Sequence, residues 1–128
     1  MANVKFIYTS KELTPRERLK LKDRADAIQL SEAVDRAENG YIDIYPDIYA
    51  ELEITGLDEL DDNGDEKIIK SFMIISKDGV KYTFTSEALW NSFINIGDEM
   101  GDEEFGIRCF KKQSKKNAAY RYLTCTII

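Results

Sequence analysis

The residues best suited to chemistry lie between positions 105 and 128, where cationic side chains alternate with aromatic rings. This stretch contains no Asp or Glu, although the whole chain has a formal charge of −6. Lys and Arg bind phosphates, and aromatic faces stack on nucleobases at about 1–3 kcal/mol per base. The combination predicts a surface for single-stranded nucleic acid. Its cationic members are Arg108, Lys111, Lys112, Lys115, Lys116 and Arg121, and its aromatic members are Phe110, Tyr120 and Tyr122.

The period of a β-strand decides which of these side chains share a face. The pattern predicts a hairpin of strands 106–112 and 118–127 joined by a loop at 113–117. Alternation then places Arg121 on the face opposite Tyr120. A second interpretation stays open, in which the lysines form a solvated hairpin and the rings pack into another layer. The predicted apolar face holds Ile107, Cys109, Leu123, Cys125 and Ile127, and the predicted basic face holds Arg108, Phe110, Lys112, Tyr120, Tyr122 and Thr124.

Charge is unevenly distributed along the chain. Residues 1–24 carry seven Lys or Arg and three acids, residues 25–104 carry five and 21, and residues 105–128 carry six and none. An acidic balance is unusual for a nucleic-acid binder, so the basic ends are the informative part. The chain has no His. That removes the commonest general base and metal ligand, so we expect neither an enzyme nor a cofactor.

The acidic middle offers an alternative function. Residues 57–66 are predicted to be a surface loop, and a calcium-loop pattern fails there because Lys70 stands where the bidentate Glu is needed. The segment is instead a solvated loop or a docking site for a basic partner. The alternative function is therefore that of an acidic protein-interaction module, such as a mimic of DNA. Tyr41, Tyr45 and Tyr49 also recur on one predicted strand face, together with acids.

Local signals predict the remaining elements. Residues 4–8 form a strand, and Thr14 with Glu17 makes a capping box for a helix over 15–24, although the alternation there also fits an extended arm. Residues 41–54 form a strand with Pro46 at a bulge or edge. Its predicted apolar face holds Ile42, Ile44, Ile48, Ala50, Leu52 and Ile54. Strands at 68–77 and 80–85 flank Asp78-Gly79, a strong hairpin signal. Ser86 caps a helix that ends near position 100.

These elements predict a mainly β, α+β fold. The expected architecture is an OB-like barrel of five or six antiparallel strands with one well-marked helix (about 86–100) and an N-terminal helix. The length suits a single domain over 1–128, with residues 1–39 as an N-terminal extension. The sequence has neither a signal-peptide core nor an apolar run of the ~20 residues that a membrane helix needs, so we expect a cytoplasmic protein. Cys109 and Cys125 are expected to be buried free thiols.

The second half of the chain resembles the small single-stranded-DNA-binding proteins of phages of Gram-positive bacteria, of the protein-primed, short-tailed type. The resemblance rests on the joint spacing of a turn, a tyrosine, a capped helix and a terminal hairpin. The segments that carry it are 71–75, Asp78-Gly79-Val80-Lys81-Tyr82, Ser86-Glu87-Ala88, Phe105-Gly106-Ile107-Arg108-Cys109 and the final strand ending at Ile128.

The resemblance implies an OB-fold variant that coats displaced single strands during phage DNA replication, largely without sequence preference. It implies DNA contacts at Tyr82, which lies three residues after the Gly of the turn, and at Tyr49, the nearest counterpart of a second family tyrosine. It further implies a location in the host cytoplasm. The segment 1–39 has no counterpart in this resemblance. With a phage source, the loop 57–66 is the candidate docking site for a replication protein or host partner. The alternative module is then a phage inhibitor or DNA mimic of a host protein.

Overall fold

A computed structural model describes residues 3–56, 60, 62–65, 67–116 and 120–128. The strands form two sheets: sheet A has the order β1-β4-β5-β6-β2 and sheet B has the order β3-β7-β8. All pairs are antiparallel except β2 with β6. The elements are β1 Asn3–Thr9, α1 Pro15–Lys22, β2 Ile28–Gln29, α2 Leu30–Arg36, β3 Tyr41–Ile44, β4 Pro46–Thr55, β5 Ile69–Ser76, β6 Lys81–Phe84, α3 Glu87–Met100, β7 Ile107–Gln113 and β8 Arg121–Ile127.

One nearly continuous segment, β3 and β4, belongs to both sheets and bends between them. The register with β5 shifts between Pro46 and Ile48, which confirms the bulge predicted at Pro46. A bulge adds one residue to a strand, so the odd-numbered and even-numbered side chains exchange faces beyond it. Ile44 therefore faces the space between the sheets, whereas Ile48 faces the opposite side of sheet A. The prediction of one continuous apolar face over 41–54 was wrong for this reason.

Two apolar cores result, one on each side of sheet A. The first lies between the two sheets and includes Leu89, Trp90 and Phe93 of α3. The second lies between sheet A and the N-terminal segment. Strand β5 serves both cores, because Phe72 and Ile74 point into the first while the alternating Met73 and Ile75 point into the second.

The N-terminal segment is built into this architecture. The predicted capping box is present: Glu17 N donates to Thr14 Oγ1 and Thr14 N donates to Glu17 Oε1. Helix α1 forms as predicted and ends at Lys22, two residues early, and Leu21 is fully buried in the second core. The short β2 and α2 were not predicted. Gln29 makes no side-chain hydrogen bond as N-cap of α2, so the usual start signal is missing.

The second half agrees closely with prediction. Gly79 turns the β5–β6 hairpin with φ 87°, Ser86 Oγ accepts from Leu89 N, and α3 ends before Gly101. The predicted barrel, however, is not closed within the described ranges. Strand β5 pairs with one edge of β6, and β2 pairs with the other edge. In a closed barrel, β8 would pair with the edge that β2 occupies. The predicted docking loop 57–66 lies partly outside the described residues, at 57–59, 61 and 66.

Cys109 and Cys125 face each other across β7 and β8, and both are buried free thiols, as predicted. Burial raises the pKa of the Cys125 thiol to about 11 and raises that of Cys109 further. Neither sulfur is therefore a thiolate at neutral pH, and both serve as packing groups. Among the helices described, none is long and apolar enough to cross a bilayer.

Helix α1 provides a test of the second core. Leu21 is 0% exposed and Leu19, on the same helix, is 66% exposed. We expect Leu21→Ala to lower the free energy of unfolding by about 2–5 kcal/mol, because it leaves a cavity. Leu19→Ala should change it by no more than about 0.5 kcal/mol. Urea denaturation of both variants is the measurement, and equal small effects would mean that α1 does not pack on sheet A.

Candidate nucleic-acid interface

The first part of the site is the outer face of sheet B, the face turned away from the first core. The hairpin register confirms the predicted division of side chains: Cys109 opposes Cys125 on the buried face, and Lys112 opposes Tyr122 on the outer face. Strand β3 adds a third strand to it. Across the three strands, this outer face consists of Tyr41, Asp43, Arg108, Phe110, Lys112, Tyr122, Thr124 and Thr126.

Three aromatic residues occupy neighbouring register positions on this face. Tyr41 is the register partner of Phe110, and Tyr122 lies two residues along β8 from Thr124, the other neighbour of Phe110. All three rings are half-buried, whereas Ile107 and Cys109 on the inner face are fully buried. Part of each ring therefore remains accessible for stacking.

Arg108 is fixed by two neighbours on the same face. Its Nε and Nη2 donate to Asp43 Oδ1 and Oδ2 at 2.8 and 3.1 Å, and its guanidinium lies 3.9 Å from the centre of the Tyr41 ring. The hydrogen bonds to Asp43 raise the pKa of Arg108, and those from Arg108 lower the pKa of Asp43. The charge of Arg108 is thus matched within the protein.

The second part is a groove between β6 and β8, which do not pair with each other in the described ranges, and we call it the seam groove. It has a volume of about 390 Å³ and lies between the start of α3 and β8. Four predicted residues line it: Lys111, Tyr120, Arg121 and Tyr122. Tyr120 is 59% exposed. Tyr122 belongs to both parts, so the seam groove and the outer face are continuous.

Lys111 is held at the wall of this groove. It lies on the inner-face parity of β7, opposite Leu123, and its Nζ binds Asp35 Oδ2 of α2 at 2.8 Å. Its side chain is only 17% exposed. The ion pair reduces the charge that Lys111 presents to a ligand.

Four predicted cations have no such partner. Lys112, Lys115, Lys116 and Arg121 are exposed and make no ion pair within the residues that the structure describes. They cluster around the tip of the β7–β8 hairpin, and residues 117–119 of that loop lie outside the described part. The tip is therefore the most cationic part of the site.

The two tyrosines implied by the resemblance lie elsewhere. Tyr82 is half-buried and borders a cavity of about 330 Å³ that it shares with Asp43, Tyr45 and Asp78. Because Asp43 also belongs to the outer face, this cavity adjoins it. Burial, with a smaller effect of Asp78, raises the pKa of Tyr82.

Tyr49 is separate from the hairpin residues. Its ring centre lies 4.6 Å from that of Phe93 and 6.5 Å from that of Tyr8, at the edge of the first core. Burial raises the pKa of Tyr49. The bulge at Pro46 is the reason that Tyr49 does not share a face with Tyr41.

Sequence analysis missed the contributions of Tyr41, Asp43 and Asp35 to this site. Tyr41 and Asp43 carried a signal, since they alternate outward on a strand, but the sequence did not show that this strand pairs with β7. Asp35 lies on a helix that was not predicted. A metal site is not indicated, because no group of three or more His, Cys, Asp or Glu side chains gathers in the described ranges.

The Asp43–Arg108 pair gives a pH prediction. Since Arg108 lowers the pKa of Asp43, the pair stabilises the fold above the ordinary carboxyl pKa, and this stabilisation is lost as the pH falls through the lowered value. In Arg108→Gln, the Asp43 pKa should rise toward its ordinary value, measured by NMR titration of the carboxyl carbon. Arg121→Gln, on another part of the site, is the control. An Asp43 pKa that is equal in the wild type, Arg108→Gln and Arg121→Gln would contradict the pairing.

Comparison with known proteins does not assign the chain to a family. No protein-family model, no curated protein sequence and no solved structure matches it. Its function is therefore inferred from the outer face of sheet B and the seam groove.

Proposed function

We propose that this chain is a non-enzymatic single-stranded-DNA-binding protein that coats single strands without sequence preference, in the replication of a phage or another mobile element. The observation that carries the proposal is the outer face of sheet B. There Tyr41, Phe110 and Tyr122 form a half-exposed aromatic surface that leads to a cationic hairpin tip, whose cations make no ion pair with any described residue. Rings that stack on any base, beside cations that follow the phosphates, bind single strands with little sequence preference.

The charges favour a path for the bound strand that runs from the aromatic rings to the hairpin tip. Near β3, the outer-face cation Arg108 is neutralised by Asp43, whereas Lys112, Lys115 and Lys116 at the tip pair with no acid in the described ranges. A strand would gain most of its phosphate contacts at the tip and most of its stacking between Tyr122 and Tyr41. Tyr120 and Arg121 extend this path into the seam groove.

The arrangement of the strands also supports an OB-like fold. The bent β3–β4 segment, β5, β6, β7 and β8 account for the five strands of such a fold, and α3 lies between β6 and β7. OB folds are partly open Greek-key barrels that bind oligonucleotides. In this chain the opening would be the seam between β6 and β8, where β2 occupies the strand edge.

The ion pairs set the expected salt dependence. Each phosphate neutralised on a single strand contributes about −0.7 to the slope of log K against log salt concentration. Four unpaired cations therefore predict a slope near −3, compared with about −4 if Arg108 and Lys111 also took part. Fluorescence anisotropy of labelled oligo-dT at several salt concentrations measures it, with duplex of the same length as the comparison. A flat response would refute the proposal and favour the acidic-module alternative.

The aromatic rings give a second test. Phe110→Ala and Tyr122→Ala should each weaken oligo-dT binding by about 1–3 kcal/mol, because each removes a stacking surface. Tyr8→Ala, a partly exposed tyrosine of sheet A, is the matched control and should bind like the wild type. If both outer-face variants retained full affinity while staying folded, stacking on sheet B would be excluded.

A further inference from the structure

Helix α1 carries a second cationic surface that the proposed site does not use. Leu21 points into the second core, and helical geometry places Arg16, Leu19, Lys20 and Lys22 on the outward half of the helix. The three cations are exposed and make no ion pair with any residue that the structure describes. The one acid of the helix, Glu17, is occupied by the capping box and by Lys11 at 3.0 Å.

This surface lies on the side of the molecule opposite the proposed site. Met73 and Ile75 of β5 face α1 through the second core, whereas Phe72 and Ile74 face sheet B through the first. Packed sheets lie ~10 Å apart, and a helix is ~10–12 Å across with its side chains. Sheet A and both cores therefore separate the cations of α1 from the aromatic rings of sheet B, and a few nucleotides cannot span the two surfaces.

The chemistry of α1 differs from that of the sheet B site. It presents cations and one aliphatic side chain but no aromatic ring. Such a surface can contact phosphates but cannot stack on bases, so it suits the backbone of any nucleic acid, including a duplex. A nucleic acid bound on sheet B would already bring phosphates to the protein.

We propose that α1 is a second phosphate-binding surface, and that the protein bridges two nucleic-acid segments, one on sheet B and one on α1. This inference rests on the proposed function for the sheet B segment. The bridging would hold two strands, or two distant parts of one strand, about one protein diameter apart. Because the α1 contact lacks stacking, its binding free energy comes from phosphate contacts. Salt should therefore remove a larger fraction of the binding free energy at α1 than at sheet B.

Native mass spectrometry with oligo-dT of about 12 nucleotides, within the 4–16 that one OB fold covers, counts strands per protein. We expect the wild type to hold two strands at low salt. Arg16→Gln/Lys20→Gln should hold one, since glutamine keeps helix propensity while removing the charges. The control Lys5→Gln/Lys70→Gln removes the same charge from other exposed positions and should still hold two. Unchanged unfolding midpoints would show that both variants remain folded.

The outcomes separate this proposal from the proposed function. One strand on the wild type, retained by Arg16→Gln/Lys20→Gln and lost by Phe110→Ala/Tyr122→Ala, would overturn bridging and leave the sheet B site standing. If the wild type held one strand and only the α1 substitutions removed it, both the bridging and the sheet B site would be overturned. Two strands that persist in the α1 variant would also overturn bridging, because the second contact would lie elsewhere.

Discussion

The bend between β3 and β4 is the constraint on which the rest of the structure depends. Pro46 cannot donate a hydrogen bond to a sheet ladder, and the register shift beside it reverses the parity of the strand. As a result one segment contributes Ile44 to the core between the sheets and Ile48 to the core under α1. Without this reversal, Ile48 would not join Met73 and Ile75 of β5 in the core under α1.

The two cores determine which surfaces remain free for binding. Both faces of sheet A are used in packing, so β5 is buried along its length from Ser71 to Ser76. Among the described residues, sheet B packs on one face only, and the rings on its outer face stay half-exposed. The charge follows the same division, because the acids Asp43 and Asp35 neutralise the two cations nearest the body, while those at the hairpin tip pair with no acid that the structure describes.

Much of the fold could be predicted because its signals are local. Asp78-Gly79 fixes a turn, Ser86 and Thr14 cap helices, and alternation assigned the faces of the terminal hairpin. Long-range pairing could not be predicted, since nothing local tells β3 to pair with β7 or β2 to occupy the edge of β6. The site shows the same limit: the cations were found, but their partners Asp43 and Asp35 come from segments distant in sequence.

The central claim, that single strands lie across sheet B, is tested most directly by photochemical crosslinking. Oligonucleotides carrying 5-iododeoxyuridine would be irradiated in the complex, and the modified residues identified by mass spectrometry. Stacking predicts crosslinks to Phe110, Tyr122 and Tyr120, at the rings that face the strand. Crosslinks confined to Tyr8, Tyr45 or Tyr49, or none in a complex that binds, would contradict it, because the strand would then follow another surface.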